Sequence, residues 1–170
     1  MLKFYSLASG SRGNAFVIFN GDKYLQIDCG MTRKYIFEQY ENIGISIDDI
    51  DSILITHKHS DHIKQLNTYK NKNIYSFANI EKVLYKKLIP FKEYEIDSYK
   101  VIGLPLSHDS ENTMGFVITY KNEKLVYITD TGYLKEDYYY LLKDADYIIL
   151  ESNHDVKMLM ETSRPWLTKQ

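Results

Sequence analysis

The run Thr56-His57-Lys58-His59-Ser60-Asp61-His62 gathers three of the chain's five histidines and a carboxylate into a few consecutive residues. Imidazole and carboxylate together form a ligand set for zinc, manganese or iron. The run follows the apolar stretch Ile50-Asp51-Ser52-Ile53-Leu54-Ile55, and the ends of buried strands are where sites of layered α/β folds gather. Two more groups emerge in the same way: His108 follows the apolar run 101–106, and Asp130 follows 125–128. His57, His59 and His108 make a set for one divalent ion. Asp61, His62 and Asp130 make a set for a second, with Asp130 able to bridge because a carboxylate has two oxygens. Two ions about 3.5–4 Å apart can share a hydroxide and clamp a reacting oxygen.

Other residues carry weaker signals. Asp28 ends an apolar run and reads either as an acceptor for a liganding imidazole or the histidine cluster's backbone, or as a turn-capping acid. The loop Ser9-Gly10-Ser11-Arg12-Gly13-Asn14 can bring backbone N–H groups close to an anion. Ser9, Ser11, Arg12 and Asn14 are its candidate substrate contacts, with Arg12 suited to a phosphate. His154, beside Asn153, could ligate, orient substrate or donate a proton to a leaving group, and could equally cap a helix. Cys29 is the only cysteine, which excludes an internal disulfide, and its neighbours Asp28 and Gly30 suit a small packing residue.

These residues need elements to hold them, and the chain reads as an echo of itself. Phe16-Val17-Ile18-Phe19 leads through a turn to Tyr24-Leu25-Gln26-Ile27-Asp28-Cys29-Gly30. Phe116-Val117-Ile118-Thr119-Tyr120 leads through a turn expected to be two residues longer to Leu125-Val126-Tyr127-Ile128-Thr129-Asp130-Thr131-Gly132. Each is a β-hairpin delivering a carboxylate at its far end. A helix over 33–42 and one over 133–143 follow, and then the apolar strands 50–55 and 147–150. Two ββαβ halves predict an α/β layered fold, an αββα sandwich with its sheets face to face. The expected organisation is a single domain over 1–170 with halves of about 1–106 and 107–170, the second incomplete. An amphipathic helix is expected over 79–88, with Val83, Leu84 and Leu88 inward. Lys82, Lys86 and Lys87 on it would be a solvated face or a nucleic-acid track. Tyr138-Tyr139-Tyr140 reads as helix packing.

At 170 residues, 44% apolar and 26% charged, the chain can bury a real core. A formal net charge of −2 argues against a bulk electrostatic nucleic-acid binder. It leaves room for a nuclease whose positive charge is local or supplied by bound ions. No apolar run approaches the length of a membrane span, and strand pattern begins at the N-terminus without a secretion signal, so the expected compartment is the cytoplasm.

With these residues in place, the chain resembles the metallo-β-lactamase fold superfamily, whose metal motif is H-x-H-x-D-H, then a distant His, then an Asp. Within it, the chain is most similar to the YycJ/WalJ-type group. The similarity is carried by Ser9-Gly10-Ser11-Arg12-Gly13-Asn14, Ile27-Asp28-Cys29-Gly30, the histidine run, Leu106-Ser107-His108-Asp109, Thr129-Asp130-Thr131-Gly132 and Glu151-Ser152-Asn153-His154-Asp155. The resemblance implies a cytoplasmic metal-dependent nuclease with two divalent ions, Zn2+ or Mn2+, acting as a 5′–3′ exonuclease on DNA rather than RNA. It implies catalytic roles for Asp61 and His154, with Asn153 at the substrate. The superfamily also carries a later histidine between Gly and Leu-Ser, which nothing in 156–170 matches. The second ion site is therefore expected to be a ligand short and its ion weakly held. Two alternatives stay open: a lactone or thioester hydrolase of the same fold, and a shortened metal-binding homologue that is inactive or oligomerises through a sheet edge.

Overall fold

The computed structural model describes residues 1–151. One sheet holds β1 (Lys3–Ala8), β2 (Ala15–Phe19), β3 (Tyr24–Ile27), β4 (Ile50–Ile55), β5 (Asn73–Ser76) and β6 (Lys86–Lys87) in chain order. The other holds β7 (Glu93–Ile96), β8 (Tyr99–Pro105), β9 (Met114–Tyr120), β10 (Glu123–Ile128) and β11 (Tyr147–Leu150), with β7 and β11 at its edges. The central strands are apolar on both faces, as uninterrupted apolar runs require. Phe16 and Ile18 of β2 face the second sheet, while Ala15 and Val17 face outward into a separate cluster. On β9 and β10, Phe116, Ile118, Leu125 and Tyr127 point between the sheets, and Val117, Val126 and Ile128 point away.

Helical segments close both outer faces. On α1 (Arg33–Asn42), Ile36 and Tyr40 pack against the first sheet, where they meet Val17, Ile53 and Ile55. Thr32 caps this helix by accepting the Tyr35 N–H at 3.3 Å. Over the second sheet lie a 3₁₀ turn at Glu136–Tyr138 and a single turn, α3 (Tyr139–Leu142), whose Tyr138, Leu141 and Leu142 join Val117 and Val126. The layers are thus helix, sheet, sheet, helix. Strand pairing runs alike in the two sheets. β1–β2–β3 and β8–β9–β10 are antiparallel, and β4 and β11 then add in parallel to β3 and β10. Equivalent residues even share register, with Ile18 opposite Leu25 and Ile118 opposite Leu125.

Three expectations need correction. The helix over 79–88 does not form. Ile80 and Leu88 are buried but Leu84 is 92% exposed, so no single face is apolar. Lys82 takes a positive φ of 69°, which breaks a helix. Lys86 and Lys87 instead pair as β6 with Tyr75 and Ser76, an edge of β5 overriding local propensity. The helix over 133–143 is confined to 136–142, because Tyr133 is still held in the preceding loop by the Thr131 hydroxyl, which donates to its carbonyl at 2.7 Å. Of the tyrosine triplet only Tyr138 is buried, donating to the Pro105 carbonyl at 2.9 Å. Finally, the second hairpin has the shorter turn. Only Lys121 and Asn122 separate β9 from β10, with Lys121 at φ 54° as a tight hairpin turn needs at its first position.

Among the described residues no helix is long and apolar enough to cross a membrane. The inter-sheet layer is where the fold is most sensitive. Phe116 is fully buried there beside Phe16 and Tyr127, whose ring centroids lie 5.3 Å apart. Phe116→Ala should lower the unfolding free energy by about 3–5 kcal/mol, measured by urea denaturation. A loss under about 1 kcal/mol would show that the two sheets are not held by this layer.

Candidate metal centre

The centre forms where strands of both sheets end on the same side. After β4, Thr56 and His57 continue the extended chain, and His59 precedes the short helix α2 (Ser60–Ile63) that carries Asp61 and His62. From the second sheet, His108 follows β8 and Asp130 follows β10. Backbone hydrogen bonds tie these loops together, one across the seam and one within the second sheet. Met114 N–H donates to the Thr56 carbonyl at 2.9 Å, and Gly132 N–H donates to the Ser107 carbonyl at 3.0 Å.

Two groups of potential ligands result, each with its ligand atoms within 4.8 Å of one another: His57, His59 and His108, and His57, His62 and Asp130. In the first, His59 Nδ1 lies 3.1 Å from His57 Nε2 and 3.3 Å from His108 Nε2. In the second, His62 Nε2 lies 3.1 Å from Asp130 Oδ2. Asp61 Oδ2 stands beside this group, 3.6 Å from His62 Nε2. His57 thus touches both groups, a position the sequence did not disclose.

The donor chemistry fits divalent cations. Neutral imidazoles cannot all satisfy one another when their ring nitrogens converge on one point, and a cation is what such a convergence favours. Asp130 Oδ2 is buried and takes no hydrogen bond of good geometry, although His62 is close. Charge is coupled across the second group. Burial above all, then the charge of His62, pushes His57 down to about 3, so its lone pair is available. For His62 burial acts downward, but the carboxylates of Asp28 and Asp130 outweigh it and raise the ring to about 10. Burial would lift Asp130; proximity to His62 holds it below the usual carboxylate range.

Asp28 orients this ring. It is fully buried, and Oδ2 accepts from His62 Nδ1 at 2.8 Å and from the Thr56 hydroxyl at 2.7 Å, while Oδ1 accepts the Thr56 N–H at 2.9 Å. With Nδ1 engaged, His62 Nε2 is left to face the site. Asp28 and Asp130 both adopt positive φ, 58° and 51°, so each carboxylate turns off its strand in the same way. Gln26 Nε2 steadies the first of these turns by donating to the Asp28 carbonyl at 2.7 Å, and Gln26 is held in turn by the hydroxyls of Tyr40 and Tyr69.

Asn14 sits inside the same scaffold. Its N–H donates to the Asp61 carbonyl at 2.7 Å, and its side-chain nitrogen lies 2.9 Å from His62 Nε2. Gly30 closes the packing, since a Cβ there would meet the Asp61 carbonyl oxygen at 1.5 Å. Ser9, Ser11 and Arg12 are exposed, and the latter two line a cleft reaching Asp61. Asn153 and His154, and with them the expectation of an incomplete second half, lie outside the described residues. Sequence reasoning missed Thr56, which bridges Asp28 to both His57 and His62. It also missed Glu151, whose carboxylate accepts the Asp130 N–H at 2.8 Å. Thr56 stood in the motif with nothing to mark its hydroxyl. Asp109 lies at the first group, 3.1 Å from His108 Nε2, but its side chain is 71% exposed.

The shifts carry opposite signs of pH dependence. His62 is raised from an ordinary 6.5 to about 10, so the stability it lends the ion-free fold is complete below pH 6.5 and lost as pH rises through about 10. His57 is lowered from 6.5 to about 3, so stability falls as pH drops from 6.5 toward 3. Thermal unfolding of chelator-treated protein should therefore show a maximum near pH 6.5, and Asp28→Asn should flatten the alkaline limb. The same substitution should weaken divalent-ion affinity about 10–100-fold in a competition titration. An unchanged alkaline limb and unchanged affinity would remove Asp28 from this role.

Comparison with known proteins accords with this geometry. A family model described as the β-lactamase superfamily domain matches residues 24–167. Exodeoxyribonuclease YycJ of Bacillus anthracis is 33% identical over 188 residues, covering 99% of this chain and 69% of its own. Exodeoxyribonuclease WalJ of Streptococcus pneumoniae is 31% identical over 189 residues, covering 99% of this chain and 68% of its own. Among solved structures, the metallo-β-lactamase fold protein YhfI from Bacillus subtilis superposes with a TM-score of 0.76 at 18% identity, over 90% of this chain and 72% of its own. Zn2+-bound PqqB from Methylobacterium extorquens superposes with a TM-score of 0.65 at 16% identity, over 82% of this chain and 60% of its own.

Proposed function

The chain belongs to the β-lactamase superfamily, and on that premise we propose that it is a metal-dependent hydrolase of phosphodiester bonds, an exonuclease acting on DNA from 5′ to 3′. The observation that carries the reading is the pair of ligand groups sharing His57 at the seam of the two sheets. The relatives named exodeoxyribonucleases support the choice of substrate. A DNA substrate also carries the expectation of a cytoplasmic location.

His57, His59 and His108 would hold one divalent ion, and Asp61, His62 and Asp130 a second, with Zn2+ or Mn2+ the candidates. Bound there, such ions supply hydroxide near neutral pH and neutralise charge on phosphoryl oxygens. The protein's own part is positional. Asp28 fixes the His62 ring, Thr56 spans His57 and His62, and Glu151 holds the backbone that carries Asp130. Arg12, Ser11 and Ser9 lie on the exposed loop beside Asp61, where substrate phosphate would approach. His154 is assigned on sequence grounds to protonate the leaving oxygen, with Asn153 beside the substrate.

The test pairs end-labelled single- and double-stranded DNA with a small phosphodiester reporter and with lactone and thioester panels. Chelation should abolish DNA cleavage and added Zn2+ or Mn2+ should restore it. His59→Ala and Asp61→Ala should each lower kcat/KM about a hundredfold or more while keeping the unfolding midpoint of the ion-free protein. Wild-type cleavage rates in those variants would end the proposal. Faster turnover of a lactone or thioester than of any phosphodiester would replace it with the carbonyl-hydrolase reading.

A further inference from the structure

We propose that the cleft beside Asp61 seats a second, non-reacting phosphate of the substrate strand, clamped by Arg12 and Lys64. The inference rests on the phosphodiesterase reading and assigns the substrate contacts that reading needs. The cleft is open to solvent, spans about 470 Å³ and is lined by Ser11, Arg12, Ser60, Asp61 and Lys64. That volume falls within the roughly 300–1,000 Å³ of small-molecule sites, more than a lone anion needs. Met31 also lines it and offers an apolar surface to a sugar.

Charge is what suits this cleft to an anion. Among the described residues Lys23, Lys34, Lys58 and Lys100 each pair with a carboxylate, whereas neither Arg12 nor Lys64 makes an ion pair. Both side chains are exposed and open to an incoming ligand. Asp61 by itself repels an anion. Two cations lining the same cleft give it the opposite balance, in a chain whose net charge is −2.

Both cations are tied to the metal centre by backbone. Lys64 N–H donates to the Ser60 carbonyl at 3.0 Å, closing the turn that carries Asp61 and His62. Three residues of helical rise put Lys64 about 4.5 Å along the axis from Asp61. Ser60 and Lys64, four apart, share a face, so hydroxyl and ammonium can meet one phosphate. Arg12 rides on the loop that Asn14 fastens to the Asp61 carbonyl at 2.7 Å. That loop is packed hard against the cleft, for a Cβ on Gly13 would meet Met31 N at 2.6 Å. The backbones that carry Arg12 and Lys64 are therefore both fastened to the segment that holds Asp61. The ligand chemistry is a phosphate, from either the next backbone diester or a terminal 5′-monophosphate.

The experiment is equilibrium binding of fluorescein-labelled single-stranded DNA to the full chain in chelator, by anisotropy across a salt series. Lys64→Ala and Arg12→Ala should each reduce the slope of log affinity against log salt by about 0.7, the value for one single-strand phosphate contact. Each should weaken binding about three- to tenfold at moderate salt, and Lys64→Arg should restore the slope. With ions added, KM should rise in both alanine variants while kcat holds. Oligonucleotides with 5′-phosphate and 5′-hydroxyl ends separate the sources. A loss confined to the phosphorylated strand assigns the terminal group, and an equal loss on both assigns the backbone. Slopes and affinities like wild type in both variants would overturn the clamp, as would failure of the wild type to bind DNA. Turnover of the small phosphodiester reporter by wild type judges the hydrolase reading separately, because that reporter has no second phosphate.

Discussion

Asp28 is a carboxylate with no access to solvent, in a place where an isolated charge could not persist. It is tolerated because every direction from it ends in a donor: the Thr56 N–H, the Thr56 hydroxyl and the His62 ring. Those bonds also do the work of a strand pair. β3 and β4 run parallel, the Asp28 N–H donates to the Leu54 carbonyl, and the carboxylate then carries the connection beyond the last paired residue into the histidine run. Removing one partner would strand the others, so this acid is both a structural clasp and the agent that aims His62.

The remainder of the centre depends on a second constraint, the packing of the two sheets. Asp130 and His108 belong to one sheet and the histidine run to the other. Phe16 against Tyr127, in the layer between, sets how far apart the strand ends lie. Interiors at crystalline packing density do not deform smoothly, so the seam has a defined spacing. Ion binding and folding should be linked accordingly, since the ligands converge only when the sheets meet.

Electrostatics divides the site into a buried and an open part. Inside, His57, His62 and Asp130 trade charge among themselves, with burial opposing and neighbours compensating. Outside, Arg12 and Lys64 stand exposed in the cleft that Asp61 also lines. The first arrangement suits a tightly held cation, the second a mobile polyanion. A protein of small net negative charge can combine both because screening confines surface charge to about 10 Å.

Much of the centre was legible from residue order. Histidines spaced at His57, His59 and His62 behind an apolar run have few uses other than ligation, and the parallel phrases ending in Asp28 and Asp130 marked both hairpins. The α1 helix was legible as well, because its boundaries rest on local signals such as the Thr32 cap. The segment 79–88 was not, since β6 exists only by pairing with Tyr75 and Ser76, a contact no local pattern records. Nor did order reveal that Asn14 reaches His62 or that Thr56 spans two imidazoles, because a hydroxyl or amide becomes informative only when burial removes its water. Amino-acid order by itself determined which groups are chemically competent and which stretches must be strands. The folded arrangement alone decided which groups meet, that His57 serves both clusters, and where the unpaired cations stand. The physical reason is that propensity and periodicity act within a few residues, whereas convergence arises from contacts between strands far apart in the chain.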